Sequence, residues 1–419
     1  MNGFLSTIPN CPLVVKCGLL VSFLVTCLLF FRNKKKPTQT KNPKTTGATI
    51  FYGQPRTIPT VQPVRPDFSW DKESPLKSFP FRKGIYKLTM GIRSLDYQDW
   101  LLMELNYLRN IKIKSSIVSN TNPNYPAEKN LSKSSVCLTT ECIPALKELY
   151  SMVVPYMCDK YPMHFSRMPD NDQVYNSITK EYIPLDPESV ENPYVLLECL
   201  SRTIEEDFII LQKDPSQKNK LHGSEYHFKG GVFAFPVGFD PGKLFNRPLS
   251  FIHQPVPGYD QKLKPSLNKF FDRLEPGNFV TRSNWFVQAH NYFFVDELIK
   301  EGNAPPRSEM KPLEKEDLDF ENQVHYRSER QVLTRLPKLG AVVFTIRTYL
   351  LPISEIKKED EGTIDRFVGA IEGLPDDLAY YKRSLEWGPP VIQYLLDSQK
   401  NDDKDTSQTV KQIDQAVAV

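Results

Sequence analysis

Apolar and polar residues alternate most clearly in residues 323–349, where the pattern predicts two β-strands joined by a turn at 337–340. In the second strand one face carries Val342, Phe344, Ile346 and Leu350, and the other carries Thr345, Arg347 and Tyr349. In the first strand, one face carries Arg327, Glu329 and Gln331. The register decides whether Glu329 meets Arg347, because a shift of one residue turns a side chain to the other face. A solvated surface ion pair is the alternative to a functional pair.

Helical periodicity dominates the region before these strands. Helices are predicted to begin at Asp96, to run over 141–157 with Pro155 marking the end, and to run over 192–201. Residues 81–202 are therefore predicted to form a helical subdomain.

Strand patterns follow from residue 203 onward. Further strands are predicted at 206–213, 226–235 and 279–288, with a helix at 259–274 and an acidic insertion at 296–320. This order predicts an α+β fold in which residues 203–385 form a PAS-like five-stranded antiparallel sheet with crossing helices. Residues 386–419 form a C-terminal tail.

The most apolar stretch of the chain is close to the N-terminus. Residues 12–31 approach the ~20 apolar residues that span a bilayer, and basic residues follow at Arg32 and Lys34 to Lys36. The pattern predicts a single transmembrane helix, with residues 1–11 in the lumen and the domain in the cytosol. Residues 32–80 form a basic, Pro-rich tether. The short span suits the endoplasmic reticulum or another internal membrane; a buried apolar helix is the alternative.

Composition excludes several function classes. The chain has 419 residues, a formal net charge of +3 and seven cysteines. This charge is too small for a nucleic-acid-binding surface, so no nucleic acid is expected as a partner. Because no two cysteines have C-x-x-C spacing, the sequence predicts neither a zinc ribbon nor an iron–sulfur cluster, and it predicts buried, reduced thiols.

Several motifs occur in an order that indicates a family. They are residues 87–92 (KLTMGI), 99–101 (DWL), 246–249 (NRPL), 252–259 (IHQPVPGY), 282–285 (RSNW), 328–331 (SERQ) and 344–349 (FTIRTY). Together they resemble the α subunit of haem-dependent oxidative N-demethylase and its fungal relatives, over roughly residues 80–385. The resemblance implies a domain that binds haem b and uses O₂ to remove a methyl group from a small amine. It also implies electrons from flavin and iron–sulfur partners. Because this chain has no flavin-binding glycine loop and no cysteine cluster, a separate reductase protein is expected.

Histidine is the expected axial ligand of the haem iron. His253 has an apolar, Pro-rich environment in the segment between strands, where PAS domains carry their haem ligand, and it is the first candidate. His227 and His325 are on predicted strands and are the alternatives. The other three histidines are predicted to lie in loops.

Polar residues on the last three strands are the candidates for catalysis. Arg282 and Asn284 share a strand face, and so do Arg347 and Tyr349, so each pair can stabilise developing negative charge. Glu329 can accept a proton or bind a protonated amine. Arg330 is predicted to contact the haem. Arg282 and Arg347 have an alternative role as partners of the haem propionates.

Three functions are compatible with these patterns. The first is an oxygen-dependent haem oxidoreductase acting on a small amine. The second is a haem-binding sensor or haem carrier without turnover, because a fold does not by itself determine chemistry. The third is a membrane-tethered scaffold whose sheet has lost its cofactor.

Overall fold

Two antiparallel sheets organise the part of the chain that the computed structural model describes, which comprises residues 58–219, 223–296 and 306–397. Their strands are β1 (Arg93–Leu95), β2 (Val136–Leu138), β3 (Phe165–Met168), β4 (Gln173–Asn176), β5 (Glu181–Pro184), β6 (Asp207–Lys213), β7 (Tyr226–Val232), β8 (Phe279–Gln288), β9 (His325–Arg335) and β10 (Val342–Pro352).

The large sheet has seven strands in the order β1-β8-β9-β10-β6-β7-β2, and the small sheet has the order β3-β4-β5. The prediction of a five-stranded sheet is therefore wrong. All five predicted strands form and are neighbours at the centre of the sheet, but β1 and β2 extend its two edges. Each edge strand has only three residues, which is too few for an alternating pattern to be recognisable.

The helices of the described residues precede, interrupt and follow the large sheet. They are Tyr107–Val118, Leu131–Ser135, Ile143–Lys160, Pro193–Thr203, Pro241–Leu244, Leu249–Ile252, Lys264–Arg273, Ile353–Lys357, Glu361–Glu372, Asp376–Tyr381 and Ser384–Leu396. A π-helical turn at Tyr259–Leu263 leads into Lys264–Arg273.

The prediction of an N-terminal helical subdomain needs correction. Residues 81–202 contain helices, but they also contribute β1 and β2 to the large sheet and form the whole small sheet. Asp96 caps a single 3₁₀ turn at Tyr97–Asp99, and the helix expected there begins at Tyr107. Helix Ile143–Lys160 continues through Pro155, because most of its side chains are buried and their packing offsets the lost backbone hydrogen bond.

The two faces of the large sheet bury different sets of residues. Because side chains alternate along a strand, Phe208 and Ile210 of β6 pack into one hydrophobic core with helices Ile143–Lys160 and Pro193–Thr203. Ile209 and Leu211 enter a second core, together with residues of the segment 249–274. Helices after residue 353 form a third core. The sheet thus separates an N-terminal layer from a layer formed by residues 241–274.

Residues 58–80, which the sequence assigns to the tether, pack against the sheet and its N-terminal layer. The Val64 amide donates to the Lys160 carbonyl at 2.9 Å, and the Tyr326 hydroxyl donates to the Ser78 carbonyl at 2.7 Å. The Phe68 and Tyr161 rings are 5.4 Å apart.

No helix within the three described ranges is long and apolar enough to span a membrane. The transmembrane helix predicted at 12–31 lies outside these ranges. Four cysteines lie within them, at 137, 142, 158 and 199, and all four are buried free thiols, as predicted.

The register of the β9–β10 hairpin places Glu329 and Arg347 on opposite faces. Arg347 is opposite Arg330, whereas Glu329 is opposite Thr348. Directly opposite residues in an antiparallel pair share a face. Glu329 and Arg347 therefore cannot pair, and the sequence alone could not decide this.

Candidate functional site

A cavity of about 530 Å³ lies between the large sheet and the segment 249–267. This volume is within the range of about 300–1,000 Å³ that is usual for ligand pockets. The sheet side is lined by one face of five neighbouring strands, with Ile209, Leu211, Phe228, Arg282, Asn284, Phe286, Glu329, Gln331, Leu333, Phe344 and Ile346. Most of these side chains are apolar, and the polar ones are confined to β8 and β9.

Further segments complete the cavity wall. The facing side is formed by Leu249, Ile252, His253, Val256, Tyr259, Leu263 and Leu267. An extended segment at 86–92 lies along another side, and the Arg282 Nε donates to its Met90 carbonyl at 2.9 Å. Lys243 and Lys382 add two cationic side chains to the wall.

His253 caps the short helix Leu249–Ile252 and projects into this wall. Its Nδ1 is 2.8 Å from the Leu249 carbonyl oxygen. A carbonyl can only accept a hydrogen bond, so Nδ1 carries a proton, and in the neutral ring the lone pair is on Nε2. The Tyr259 ring stacks on the imidazole with 4.7 Å between centroids and an angle of 8°. Both contacts fix the orientation of the ring, as is typical for a histidine that binds a metal.

A row of hydrogen-bonded polar side chains crosses the sheet side of the cavity. Arg282 Nη1 donates to Gln331 Oε1 at 2.6 Å, and Gln331 Nε2 donates to Glu329 Oε2 at 2.8 Å. Asn284 Nδ2 approaches the same Glu329 oxygen at 3.4 Å. The row follows from the register, because Arg282 is opposite Gln331 and Asn284 is opposite Glu329. We call these four residues the polar row.

A second arginine, Arg327, lies beside the polar row on β9. It is fully buried, and its Nε is 3.9 Å from Glu329 Oε1. Its other nitrogens donate to the Phe235 and Phe293 carbonyls at 2.6 and 3.1 Å. Burial lowers the pKa of Arg327, and the negative charge of Glu329 acts in the opposite direction. Arg327 therefore places a fixed cation near one oxygen of Glu329.

Three of the predicted site residues are not at this cavity. Arg330, Arg347 and Tyr349 lie on the opposite face of the sheet, where they contact the N-terminal layer. Arg347 donates to the Leu102 carbonyl at 2.8 Å and to Glu104 at 2.7 Å, and it also contacts Glu205 and Glu206. Arg330 donates to the carbonyls of Asp99 and Trp100, and the Tyr349 hydroxyl contacts Glu104 at 3.4 Å. These contacts attach the layer to the sheet.

The alternative histidine ligands do not line the cavity. His227 Nδ1 is 3.2 Å from the Glu225 carbonyl, and His325 Nδ1 is 2.8 Å from the Gln323 carbonyl. Among the histidines that the structure describes, His253 alone lines the cavity. No group of three or more His, Cys, Asp or Glu side chains in the described ranges is placed to hold a metal ion.

The residues of the cavity fit a haem. A porphyrin needs apolar walls, an imidazole nitrogen that carries a lone pair and cations for its propionates. The apolar strand residues, His253 Nε2 and the cations Lys243 and Lys382 meet these needs.

Sequence reasoning missed Gln331 and Tyr259 as site residues. Gln331 was recognisable, because it lies two positions after Glu329 and so shares its strand face. Tyr259 had no comparable signal, since its stacking on His253 depends on a π-helical turn.

Comparison with known families agrees with this site. A sequence model of a family described as haem-dependent oxidative N-demethylase, alpha subunit-like, matches residues 91–392, which is more than half of the chain. The match includes every strand of the large sheet, His253 and the whole polar row. The protein therefore belongs to the haem-dependent oxidative N-demethylase alpha subunit-like family, as its motifs predicted.

Proposed function

We propose that this protein is a haem-dependent oxidoreductase that uses O₂ to demethylate a small N-methylated amine. One observation carries the proposal: His253 is held between the Leu249 carbonyl and the Tyr259 ring, with its lone pair on Nε2, at the wall of a largely apolar cavity. An apolar site that also contains a carboxylate suits a small cationic amine.

Each cavity residue has a role in this proposal. His253 binds the iron of haem b, and when bound the haem supplies a centre at which O₂ is activated. Glu329 binds the protonated amine through Oε1, while Asn284 and Gln331 hold Oε2 and so orient the carboxylate. The apolar strand residues exclude water from the amine and strengthen its attraction to Glu329.

The net reaction defines the partners. One atom of O₂ enters a C–H bond of the N-methyl group, and the product divides into formaldehyde and the demethylated amine. The second oxygen atom leaves as water after the uptake of two electrons and two protons. We propose that a separate flavin or iron–sulfur protein supplies the electrons.

Formaldehyde release tests the proposal. The purified chain is loaded with haem, reduced chemically and mixed with N-methylated amines and O₂. The expected result is formaldehyde in proportion to O₂ consumed. Replacing Glu329 with Gln should lower turnover roughly 30-fold or more, since truncating a buried charge pair costs about 2 kcal/mol or more. The exposed Glu355, replaced by Gln, is the matched control. Stable haem binding without formaldehyde from any amine would contradict the proposal and favour a sensor or carrier.

A further inference from the structure

The two ends of the polar row keep unused hydrogen-bonding capacity at the cavity. Arg282 uses Nε and Nη1, but its Nη2 forms no hydrogen bond with any residue that the structure describes. Glu329 accepts two amide contacts at Oε2, whereas its Oε1 accepts no hydrogen bond from the described residues and has the Arg327 cation at 3.9 Å. Both side chains line the cavity. A donor on the half-buried Arg282 and an acceptor on the buried Glu329 thus face the cavity and can contact one ligand.

Gln331 shows how far apart the two charges are. Its amide oxygen accepts from Arg282 at 2.6 Å, and its amide nitrogen donates to Glu329 at 2.8 Å. The Arg282 guanidinium and the Glu329 carboxylate are therefore separated by one amide group. An α-amino acid has a similar reach, because its ammonium and carboxylate flank a single carbon atom.

A ligand that carries both charges satisfies both ends of the row. A simple amine competes for Glu329, whose negative charge also acts on the Arg282 guanidinium, and it brings no negative charge of its own for that guanidinium. A carboxylate that lacks its own cation, such as a haem propionate, is repelled at this position by Glu329. In a zwitterion the ammonium group cancels this repulsion.

Resting on the proposed function, we infer that the substrate is a zwitterionic N-methylated α-amino acid, with its carboxylate on Arg282 and its ammonium on Glu329. Arg282 is then a substrate-binding residue. For N-methylglycine the balanced reaction consumes O₂, two electrons from a flavin or iron–sulfur reductase and two protons. It yields glycine, formaldehyde and water.

The test compares N-methylglycine with dimethylamine, which carries the methylated nitrogen but no carboxylate. Calorimetric binding is measured on the haem-loaded protein without reductant, and formaldehyde is measured with a chemical reductant. The expected result is binding of N-methylglycine at least tenfold tighter than that of dimethylamine. Arg282→Gln should lower the preference for N-methylglycine over dimethylamine roughly 30-fold or more and leave haem content unchanged. Arg247→Gln is the control, because Arg247 is exposed and does not line the cavity.

Each other outcome has a distinct meaning. Equal affinities for the two ligands in the unmodified protein overturn the inference, whatever the variant does. Loss of haem from Arg282→Gln assigns Arg282 to a propionate and also overturns it. The expected binding pattern without formaldehyde from either compound supports the ligand class and overturns the demethylase function instead.

Discussion

At the scale of single residues, the large sheet carries two sets of polar side chains with different roles, one on each face. On the cavity face, the polar row leaves Arg282 Nη2 and Glu329 Oε1 without a hydrogen bond from the described residues. On the opposite face, Arg347 is surrounded by carboxylates that attach the N-terminal layer, namely Glu104, Glu205 and Glu206. Burial acts to lower the pKa of Arg347, but these carboxylates outweigh it and raise that pKa well above its ordinary value. Arg347 is therefore a permanent cation with a structural role.

The carboxylate cluster predicts how stability depends on pH. Burial raises the pKa of Glu205 from 4.5 to about 7, against the opposing attraction of Arg347. The folded protein thus keeps a proton that the unfolded chain releases, so Glu205 stabilises the fold below about pH 4.5 and this contribution is lost as the pH rises through 7. Glu205→Gln cannot titrate. Between pH 4.5 and 8, the free energy of unfolding of the Glu205→Gln variant should therefore fall less than that of the unmodified protein. The expected difference is about 3 kcal/mol, since a pKa shift corresponds to about 1.4 kcal/mol per unit.

Denaturant unfolding of both proteins at several pH values measures this difference. Equal pH slopes would show that folding does not raise the pKa of Glu205.

At the residue level, prediction from the sequence was correct where the alternation along a single strand decides which face a side chain occupies. The alternation along β8 correctly placed Arg282 and Asn284 on one face, and both line the cavity. The alternation along β10 also placed Arg347 and Tyr349 on one face, but that face of β10 is covered by the N-terminal layer and does not line the cavity. A strand pattern does not distinguish a polar side chain at a ligand from one in a buried ion cluster.

At the scale of elements, the approach of β7 to β6 depends on glycine. Gly231 has φ of +147°, and a Cβ atom there would be 2.0 Å from the Phe208 carbonyl oxygen. The register of β6 and β7 shifts between Ile210 and Leu211, so the ladder is irregular close to this contact. Two consecutive glycines within a strand are typical of an irregularity, but the sequence could not indicate that the neighbour of Gly231 is the β6 backbone.

Gly231→Ala should therefore destabilise the protein by about 2 kcal/mol or more, through steric overlap added to backbone strain. Gly84→Ala is the matched control, since Gly84 also has a positive φ, of +104°, but a Cβ atom there would meet nothing within 4 Å beyond its chain neighbours. Thermal unfolding of both variants measures the difference. A loss for Gly231→Ala no larger than that for Gly84→Ala would exclude the steric contribution.

At the scale of the whole molecule, the sheet divides the protein into a supporting layer and a cavity layer. The sequence predicted the central strands because each is long enough to show its alternation. It did not predict the edges, where β1 and β2 are short, or the packing of residues 58–80. Both depend on contacts between residues that are far apart in the chain.

Truncation tests the contribution of residues 58–80. A chain that begins at residue 81 loses the Phe68–Tyr161 ring contact and the Ser78–Tyr326 hydrogen bond. It should unfold at a lower temperature than a chain that begins at residue 58, because apolar surface of the core becomes exposed. Equal midpoints would show that this segment does not contribute to stability.

The central claim is that His253 binds a haem iron in this cavity, and absorption spectroscopy of the ferrous protein and its CO complex tests it most directly. The unmodified protein should show a Soret band typical of a histidine-ligated haem. His253→Ala should keep the apolar walls, bind haem weakly and give a shifted spectrum, and added imidazole should restore the original band. The same ferrous–CO spectrum in the unmodified protein and in His253→Ala would contradict the claim.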